Sequence, residues 1–336
     1  MIEKYSRQIL FRPIGADGQE KLLRSSVAII GCGALGTTQA NALVRAGVGR
    51  VRIVDRDFVE ESNLQRQMLF DEADAAASLP KAVAAERKLK LINSAVQVEG
   101  VVADVESHNI ESLVDGFDLM LDGTDNFAVR YLINDVSIKR GIPWIYGAVV
   151  GSYAATLTII PGRTPCLACV FPASPQGMHD TCDTVGVIAP AVAWAAAIQV
   201  TEAFKILLGR IDELHGLLLA YDVWKNHLQQ IKPARNAACP TCATGEFPYL
   251  KTRSESHTTL CGRDAVQISQ AEPRQLDLAA LKNRLQQFGT VRGNDYLLRC
   301  QLASYDLTVF PDGRAIIKGT HDPAVARGIY AKYIGS

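Results

Sequence analysis

The chain has 336 residues, of which 48% are hydrophobic, and its 35 basic and 35 acidic side chains give a net charge of zero. This length suffices for a large α/β domain plus a smaller one, and the charge balance excludes a strong field toward nucleic acid or an anionic membrane. The N-terminal residues show no signal-peptide pattern, and no stretch has the length and apolarity of a membrane span. We therefore expect a cytoplasmic protein that binds neither nucleic acid nor a membrane.

The N-terminal part alternates between predicted strands and helices. A βαβ unit is expected first, because a buried apolar run at 27–30 precedes an amphipathic helix at 34–46 and a second strand at 51–55. The elements predicted after it are helices at 80–92 and 126–140 and strands at 96–102, 117–122 and 143–149. The alternation predicts a Rossmann-like, doubly wound and mostly parallel sheet.

The pattern changes after Gly151. Strands predicted at 153–160, 217–222 and 227–232, with a long apolar helix at 190–209, should extend the sheet in antiparallel fashion. The polar stretch 251–259 is interpreted as a linker. A small α+β module is expected beyond it, with a helix at 276–289, strands at 296–301 and 305–310, and a last helix at 322–334. The predicted domains are therefore 1–250 and 255–336.

The segment GCGALG places glycines at positions 31, 33 and 36 between the first predicted strand and its helix. Asp55 follows 24 positions after Gly31, at the end of the second strand, where an acidic residue holds ribose hydroxyls in dinucleotide sites. By itself this pattern is weak, and at this point an NAD-dependent oxidoreductase remains open.

Polar side chains in the segments that follow point to a triphosphate instead. These are Asp57, Asn63, Arg66 and Gln67 in DRDFVEESNLQRQ, Lys81 at the start of a helix, and Asp122 and Asp125 in DGTDN. Arginine offers a planar fork to phosphate oxygens, and carboxylates at the carboxyl end of a strand suit Mg²⁺. The ordered set favours Mg·ATP over a redox cofactor.

Eight cysteines in a cytoplasmic chain are expected as metal ligands or reactive thiols rather than disulfides. CLAC and CPTC supply Cys166, Cys169, Cys239 and Cys242, which favour a closed structural zinc site over four ordinary thiols or a redox pair. Cys182 lies in a polar loop before the long apolar helix. A reactive thiol and a cysteine with no role both remain open there.

Together these motifs resemble the ThiF/MoeB/HesA family, bacterial relatives of the ubiquitin-activating enzymes, over about residues 4–247. The resemblance is carried by YSRQI with GADGQEKL, by GCGALG, DRD…SNLQRQ, Pro80-Lys81 and DGTDN, and by the paired cysteines. One departure is Ala34, where many members carry glycine. Such proteins use ATP to adenylate the C-terminal glycine of a ubiquitin-like sulfur carrier protein.

The resemblance also implies residue roles. Gly31, Gly33 and Gly36 would line the ATP loop, Asp55 would hold ribose, Asn63, Arg66 and Lys81 would contact phosphates, and Asp125 would bind Mg²⁺. Arg7 would be delivered from a partner subunit, which implies a homodimer in which Arg7, Arg66, Lys81 and Asp125 serve catalysis. Cys182 would add sulfur transfer, with a cysteine desulfurase or another protein as sulfur donor.

The expected function is therefore adenylation of a ThiS-like or MoaD-like carrier, for thiamin-thiazole or molybdopterin biosynthesis, with a slight preference for the thiazole pathway. Three alternatives stay open at this stage: activation of a peptide or tRNA, an oxidoreductase, and an inactive module that binds the carrier. No motif ties the C-terminal module to chemistry.

Overall fold

The computed structural model describes residues 3–172, 185–252, 265–269 and 275–335, together with the backbone of 257–260. The chain divides into two compact units, Met1–Arg253 and Ser254–Ser336. Each unit has its own sheet and its own core. Among the helices in the described ranges, none combines the length and apolarity needed to span a bilayer.

The first unit is built on an eight-stranded sheet. Its strands are β1 (Ser26–Ile30), β2 (Arg50–Asp55), β3 (Gln97–Val102), β4 (Leu119–Asp122), β5 (Trp144–Val150), β6 (Tyr153–Ile159), β7 (Leu218–Asp222) and β8 (His227–Ile231). The order across the sheet is β3-β2-β1-β4-β5-β6-β7-β8. The first five strands in this order are parallel, and the pairings of β5 with β6, β6 with β7 and β7 with β8 are antiparallel. Because β1 pairs with both β2 and β4, the strand order reverses at β1.

Helices cover both faces of this sheet. They are α1 (Ser6–Ile9), α2 (Gly15–Arg24), α3 (Ala34–Ala46), α4 (Glu72–Ala76), α5 (Lys81–Ile92), α6 (Ile110–Val114), α7 (Phe127–Arg140), α8 (Leu167–Val170), α9 (Ala189–Leu207) and α10 (Pro248–Lys251). Short 3₁₀ helices lie at Glu3–Tyr5, Glu61–Asn63 and Ile211–Glu213.

Alternate residues of the central strands face two different apolar clusters. In β1, Val27 and Ile29 pack with α2, α3, α5 and α9, whereas Ala28 and Ile30 pack with α6, α7 and α8. All five residues of β1 are buried. Burial on both faces explains why this strand is an uninterrupted apolar run in the sequence.

The second unit has a six-stranded antiparallel sheet and, in the part that the structure describes, two helices. Its strands are β9 (His257–Leu260), β10 (Ala265–Ile268), β11 (Thr290–Asn294), β12 (Leu297–Gln301), β13 (Asp306–Val309) and β14 (Ala315–Lys318), in the order β11-β12-β13-β14-β10-β9. The helices α11 (Leu278–Leu285) and α12 (Pro323–Tyr333) share one apolar cluster with one face of the sheet.

The predicted fold class is confirmed: a Rossmann-like, mostly parallel sheet with an antiparallel extension, plus a small α+β unit. The linker expected at 251–259 is wrong over its last residues, because His257–Leu260 forms β9 and pairs with β10. The polar residues of this segment show no strand pattern of their own, and the strand is defined by its antiparallel pairing with β10.

Candidate active site

Two loops touch at the point where the strand order reverses. Gly31 follows β1 with φ +99°, and a Cβ there would lie 2.5 Å from the carbonyl oxygen of Gly123, which follows β4. A Cβ at Gly36 would lie 1.9 Å from the Gly31 carbonyl oxygen. Two of the three glycines are therefore required by backbone contact, as expected at a ligand-binding edge of an open α/β sheet.

Gly33 has a different environment. In the described part of the chain, the atom nearest to a Cβ at Gly33 is the Gly123 carbonyl oxygen, 3.8 Å away. Gly33 is the N-cap of α3, whose first-turn N–H groups have no partner within the helix. Space beside Gly33 together with a helix N-terminus fits a phosphate group.

Asp55 ties the glycine loop to the end of β2. Its Oδ2 accepts a hydrogen bond from the Cys32 N–H at 2.6 Å, and its Oδ1 accepts one from the Asp57 N–H at 2.7 Å. Burial raises the pKa of this carboxyl, while the nearby Lys81 ammonium opposes the rise. The carboxylate thus lies next to the loop, at the place expected for a ribose-binding acid.

Lys81 is the first residue of α5, and its side chain is only 6% exposed. Its Nζ lies 3.5 Å from Oδ2 of Asp57. A buried ammonium near the carboxylates of Asp55 and Asp57 supplies positive charge beside the glycine loop. The fold therefore brings Lys81, Asp55 and Asp57 together, as the sequence predicted.

Arg56 was not singled out from the sequence, although it stands between the two acidic residues of DRD. Its Nη1 lies 3.1 and 2.9 Å from the two carboxylate oxygens of Asp104. Burial lowers the pKa of Arg56, but surrounding carboxylates, Asp125 among them, raise it by more. The ends of β2 and β4 are therefore close enough for the charges of Arg56 and Asp125 to interact.

Asp125 is exposed, and its carboxylate makes no hydrogen bond or salt bridge with the residues that the structure describes. The cap of α7 is Asn126, whose Oδ1 accepts from the N–H groups of Ala128 and Val129. Asp125 is thus not needed as the helix cap. An exposed hard oxygen ligand near the glycine loop fits Mg²⁺.

Asp122 does not fit the role of a metal ligand that the sequence suggested. It is fully buried, and its Oδ2 accepts from Nε of Arg130 at 2.9 Å and from the Gly147 N–H at 3.2 Å. Its Oδ1 accepts from the Thr124 N–H. Burial raises the pKa of Asp122 and Arg130 opposes the rise. Since each oxygen is already hydrogen-bonded, Asp122 holds the loop.

The segment after β2 is partly buried. Asn63 is 2% exposed, and its Oδ1 accepts from the Glu60 N–H to close the short 3₁₀ helix. Gln67 is 3% exposed. Arg66 is less buried, and its Nη1 donates to the Ser62 carbonyl at 2.8 Å. Of these three side chains, Arg66 is the one whose exposure suits a phosphate contact.

Arg7 lies on α1 and is exposed, as are the neighbouring apolar side chains of Leu10 (70%) and Phe11 (60%). An exposed arginine beside exposed apolar residues is compatible with an interface. Cys182 lies outside the described residues.

The four cysteines of CLAC and CPTC come together across 73 residues. Their sulfur atoms all lie within 4.8 Å of one another, with separations of 3.6 Å for Cys166–Cys239 and 3.3 Å for Cys169–Cys242. Zinc–sulfur bonds of 2.3 Å in a tetrahedron require sulfur atoms about 3.8 Å apart. The donor set and its spacing therefore fit a structural zinc ion.

Helix α7 holds this cluster in place. Oδ1 of Asp135 accepts from the Thr241 hydroxyl at 2.7 Å, and its Oδ2 accepts from the Tyr249 N–H at 2.8 Å. Asn134 accepts from the Leu167 N–H. Both cysteine pairs are thus anchored to neighbouring residues of one helix, an outer-shell arrangement that orients metal ligands.

Comparison with known proteins agrees with this geometry. Residues 5–241 match the family model described as the ThiF family. The chain belongs to the ThiF family. The predicted membership of the ThiF/MoeB/HesA group is thereby confirmed.

Two curated relatives show how far the similarity extends. The chain is 48% identical over 339 residues to the sulfur carrier protein ThiS adenylyltransferase of Bacillus subtilis, with 100% of both chains aligned. It is 36% identical over 268 residues to the sulfur carrier protein adenylyltransferase of Thermus thermophilus, covering 78% of this chain and 97% of that one. The crystal structure of E. coli MccB with ATP shares the fold, at TM-score 0.63 and 23% identity, over 71% of this chain and 74% of the other.

Proposed function

We propose that this chain uses ATP to adenylate the C-terminal glycine of a ubiquitin-like sulfur carrier protein of the ThiS type. The observation that carries the proposal is the 48% identity, over the full length of both chains, to a protein named ThiS adenylyltransferase. The geometry supports it, because a glycine loop, a buried lysine and an exposed aspartate converge at one sheet edge.

In this proposal a carboxylate oxygen of the carrier attacks the α-phosphorus of ATP. The bond between the α- and β-phosphates breaks, pyrophosphate leaves, and an acyl-adenylate forms. The chain's contribution is alignment and charge: the loop at Gly33 and the α3 N-terminus hold phosphate oxygens, Lys81 and Arg66 add positive charge, and Asp55 orients the ribose. Asp125 completes the set, and Asn63, which the resemblance also places at the phosphates, holds the backbone of the short 3₁₀ helix before Arg66.

Mg²⁺ held by Asp125 would neutralise part of the phosphate charge. Zinc on Cys166, Cys169, Cys239 and Cys242 would clamp the structure, since all four positions are taken by sulfur. Zinc therefore has no part in the adenylation step of this proposal.

Three further parts of the proposal concern the subunit arrangement, the role of Cys182 and the pathway. Arg7 acts in trans, so the enzyme is a homodimer, and the exposed Leu10 and Phe11 support this. Cys182 takes part in sulfur transfer after adenylation, with a cysteine desulfurase or another donor upstream. The chain acts in the cytoplasm in thiamin-thiazole biosynthesis. A molybdopterin-type carrier and a substrate that is not a carrier are the other outcomes of the test.

The experiment is ATP–pyrophosphate exchange by the purified protein, with ThiS-like and MoaD-like carriers from the same genome supplied separately. Exchange that requires the ThiS-like carrier and is lost when its last glycine is deleted is the expected result. Exchange with the MoaD-like carrier alone would move the pathway to molybdopterin. Absence of exchange with either carrier would overturn the proposed substrate class.

A further inference from the structure

A buried ion pair lies beneath the loop that carries Asp125. Arg130 is 4% exposed and Asp122 is fully buried, and the Arg130 Nε lies 2.9 Å from Oδ2 of Asp122. The guanidinium also donates through Nη2 to two carbonyl oxygens, that of Thr124 at 2.7 Å and that of Gly147 at 3.0 Å. One side chain of α7 thus connects the end of β4, the loop after it and β5.

The pair fixes the backbone before Asp125, and the helix cap fixes it afterwards. The Thr124 N–H donates to Oδ1 of Asp122 at 3.0 Å, and the Thr124 carbonyl accepts from Arg130. The Asn126 N–H donates to Oγ1 of Thr124 at 3.1 Å, and the Asn126 side chain caps α7. Asp125 therefore stands between two anchored neighbours, while its own carboxylate stays exposed.

The loop is also held from the opposite face of the sheet. The main-chain carbonyl of Asp122 accepts from Nε2 of Gln39 at 2.9 Å and from Nε2 of Gln199 at 3.0 Å. Gln39 on α3 and Gln199 on α9 lie on the face of the sheet opposite to α7, so Asp122, the first residue of the loop, is held from both faces. The freedom left to the loop is thus controlled by the groups that Arg130 contacts.

We propose that Arg130 is a positioning residue, which holds the loop 122–126 so that the Asp125 carboxylate faces the cation that accompanies ATP. This rests on the proposed function for the identity of the nucleotide. Arginine suits the task because its planar fork donates to a carboxylate and to carbonyl groups at once, whereas lysine offers one compact charge. A pair that served stability alone could be replaced by apolar residues of similar volume.

The test is Arg130→Lys, read by ATP affinity with and without Mg²⁺ in titration calorimetry of the full chain. Without Mg²⁺ the affinity should change by no more than about threefold, because the Gly33 loop and Lys81 are intact. The gain in affinity on adding Mg²⁺ should fall by about tenfold, and in an Asp125→Asn background Arg130→Lys should cause no further loss.

Glu202→Gln is the matched control, since Glu202 is 1% exposed, pairs with Lys205 at 2.6 Å and lies on α9. A Mg²⁺ effect that survives Arg130→Lys, or one that falls equally in Glu202→Gln, would show that the pair serves stability only. Should Arg130→Lys fail to fold, Asp122→Asn, which keeps one acceptor oxygen for Thr124, takes its place with the same expectations.

No carrier enters this titration, so the two proposals fail separately. A wild-type protein that binds Mg·ATP but exchanges pyrophosphate with no carrier would overturn the proposed substrate and leave the role of Arg130 supported. A wild-type protein whose ATP affinity does not respond to Mg²⁺ would overturn the role of Arg130, whatever the carrier assay shows.

Discussion

Asp122 and Asp125 carry the same functional group three residues apart, yet the structure gives them opposite surroundings. Asp122 is enclosed with Arg130 and two backbone N–H groups, whereas Asp125 faces solvent. The chemistry of a carboxylate follows from its neighbours more than from its type. At the scale of one residue, this contrast supports the two proposed roles, loop support for Asp122 and cation binding for Asp125.

Replacing Asp125 with asparagine should therefore separate activity from stability. We expect Asp125→Asn to lower the adenylation rate by at least about 100-fold, because a charge near the reacting phosphates is lost. The free energy of unfolding should change by less than about 0.5 kcal/mol, since the side chain is exposed and does not cap α7. Pyrophosphate exchange and urea unfolding measure the two quantities, with the exposed Asp212→Asn as control; near-normal exchange in Asp125→Asn would contradict the assignment.

The role of Cys182 is tested by separating the two half-reactions. Cys182→Ala should leave carrier-dependent pyrophosphate exchange unchanged within about twofold, because adenylation needs no thiol nucleophile. Transfer of sulfur to the carrier, followed by the mass of its C-terminus in a complete assay with a sulfur donor, should fall. If transfer proceeds at the wild-type rate, Cys182 has no part in it.

At the scale of elements, strands and helices are predicted best from the sequence where their own residue pattern shows which face is buried. The strands β1 and β4 are nearly continuous apolar runs, and the buried residues of β2, Val51, Ile53 and Val54, are all apolar. The helix α3 shows both an amphipathic period and a glycine cap. The helices α4 and α6 have five residues each, too few for a measurable period, and were missed. β11 was missed because its residues are mostly polar and include Gly293, so that its strand conformation depends on hydrogen bonds to β12.

The candidate site shows the same division. Residues at the carboxyl ends of strands, Asp55 among them, were predicted because topology alone gathers them at one edge. The burial of Asp122 was not predictable, since it depends on Arg130 reaching back from the second turn of α7. The cysteine pairs were predicted from spacing, but Asp135, which supports them, carries no motif of its own.

Helix α7 should control how firmly the cysteine cluster holds zinc. The two oxygens of Asp135 accept from the Thr241 hydroxyl and from the Tyr249 and Leu250 N–H groups. Asp135→Asn replaces one of these oxygens by an NH₂ group, and should lower the free energy of unfolding by about 1–3 kcal/mol. Zinc should then pass faster to a colorimetric chelator. Glu202→Gln is again the control, because α9 packs on the opposite face of the sheet. Equal rates of zinc release from both variants would contradict a role for Asp135.

The loop between α9 and β7 should make stability depend on pH. Burial lowers the pKa of His215 from its usual 6.5, Glu202 opposes this shift and Lys205 adds to it. The folded chain therefore favours the neutral form of His215. The stability that this preference contributes is present above pH 6.5 and is lost as the pH falls through the lowered pKa of His215. His215→Asn keeps an acceptor for the Leu217 N–H and should reduce the slope of unfolding free energy between pH 7 and 5. Parallel curves for the two proteins would rule this out.

At the scale of the whole molecule, the proposed site is incomplete in one chain, because Arg7 is exposed on α1 and is expected to act in a partner subunit. An active site shared between two subunits predicts complementation between two inactive variants, which a site within one chain would not show. Arg7→Ala and Asp125→Asn should each be inactive alone, yet a mixture allowed to exchange subunits should recover activity. In a mixed dimer, one site combines an intact Asp125 with the partner's intact arginine, while the other site lacks both.

Random exchange gives mixed dimers in half of the population, each with one working site in two, so recovery should approach about one quarter of the wild-type rate. The measurement is carrier-dependent pyrophosphate exchange after the two variants have been unfolded and refolded together, compared with the same variants mixed without refolding. Doubling the concentration of either variant alone should restore nothing. Arg7→Ala with near-normal activity, or a mixture as inactive as its components, would place the site within a single chain and leave the exposed Leu10 and Phe11 without the interface proposed for them.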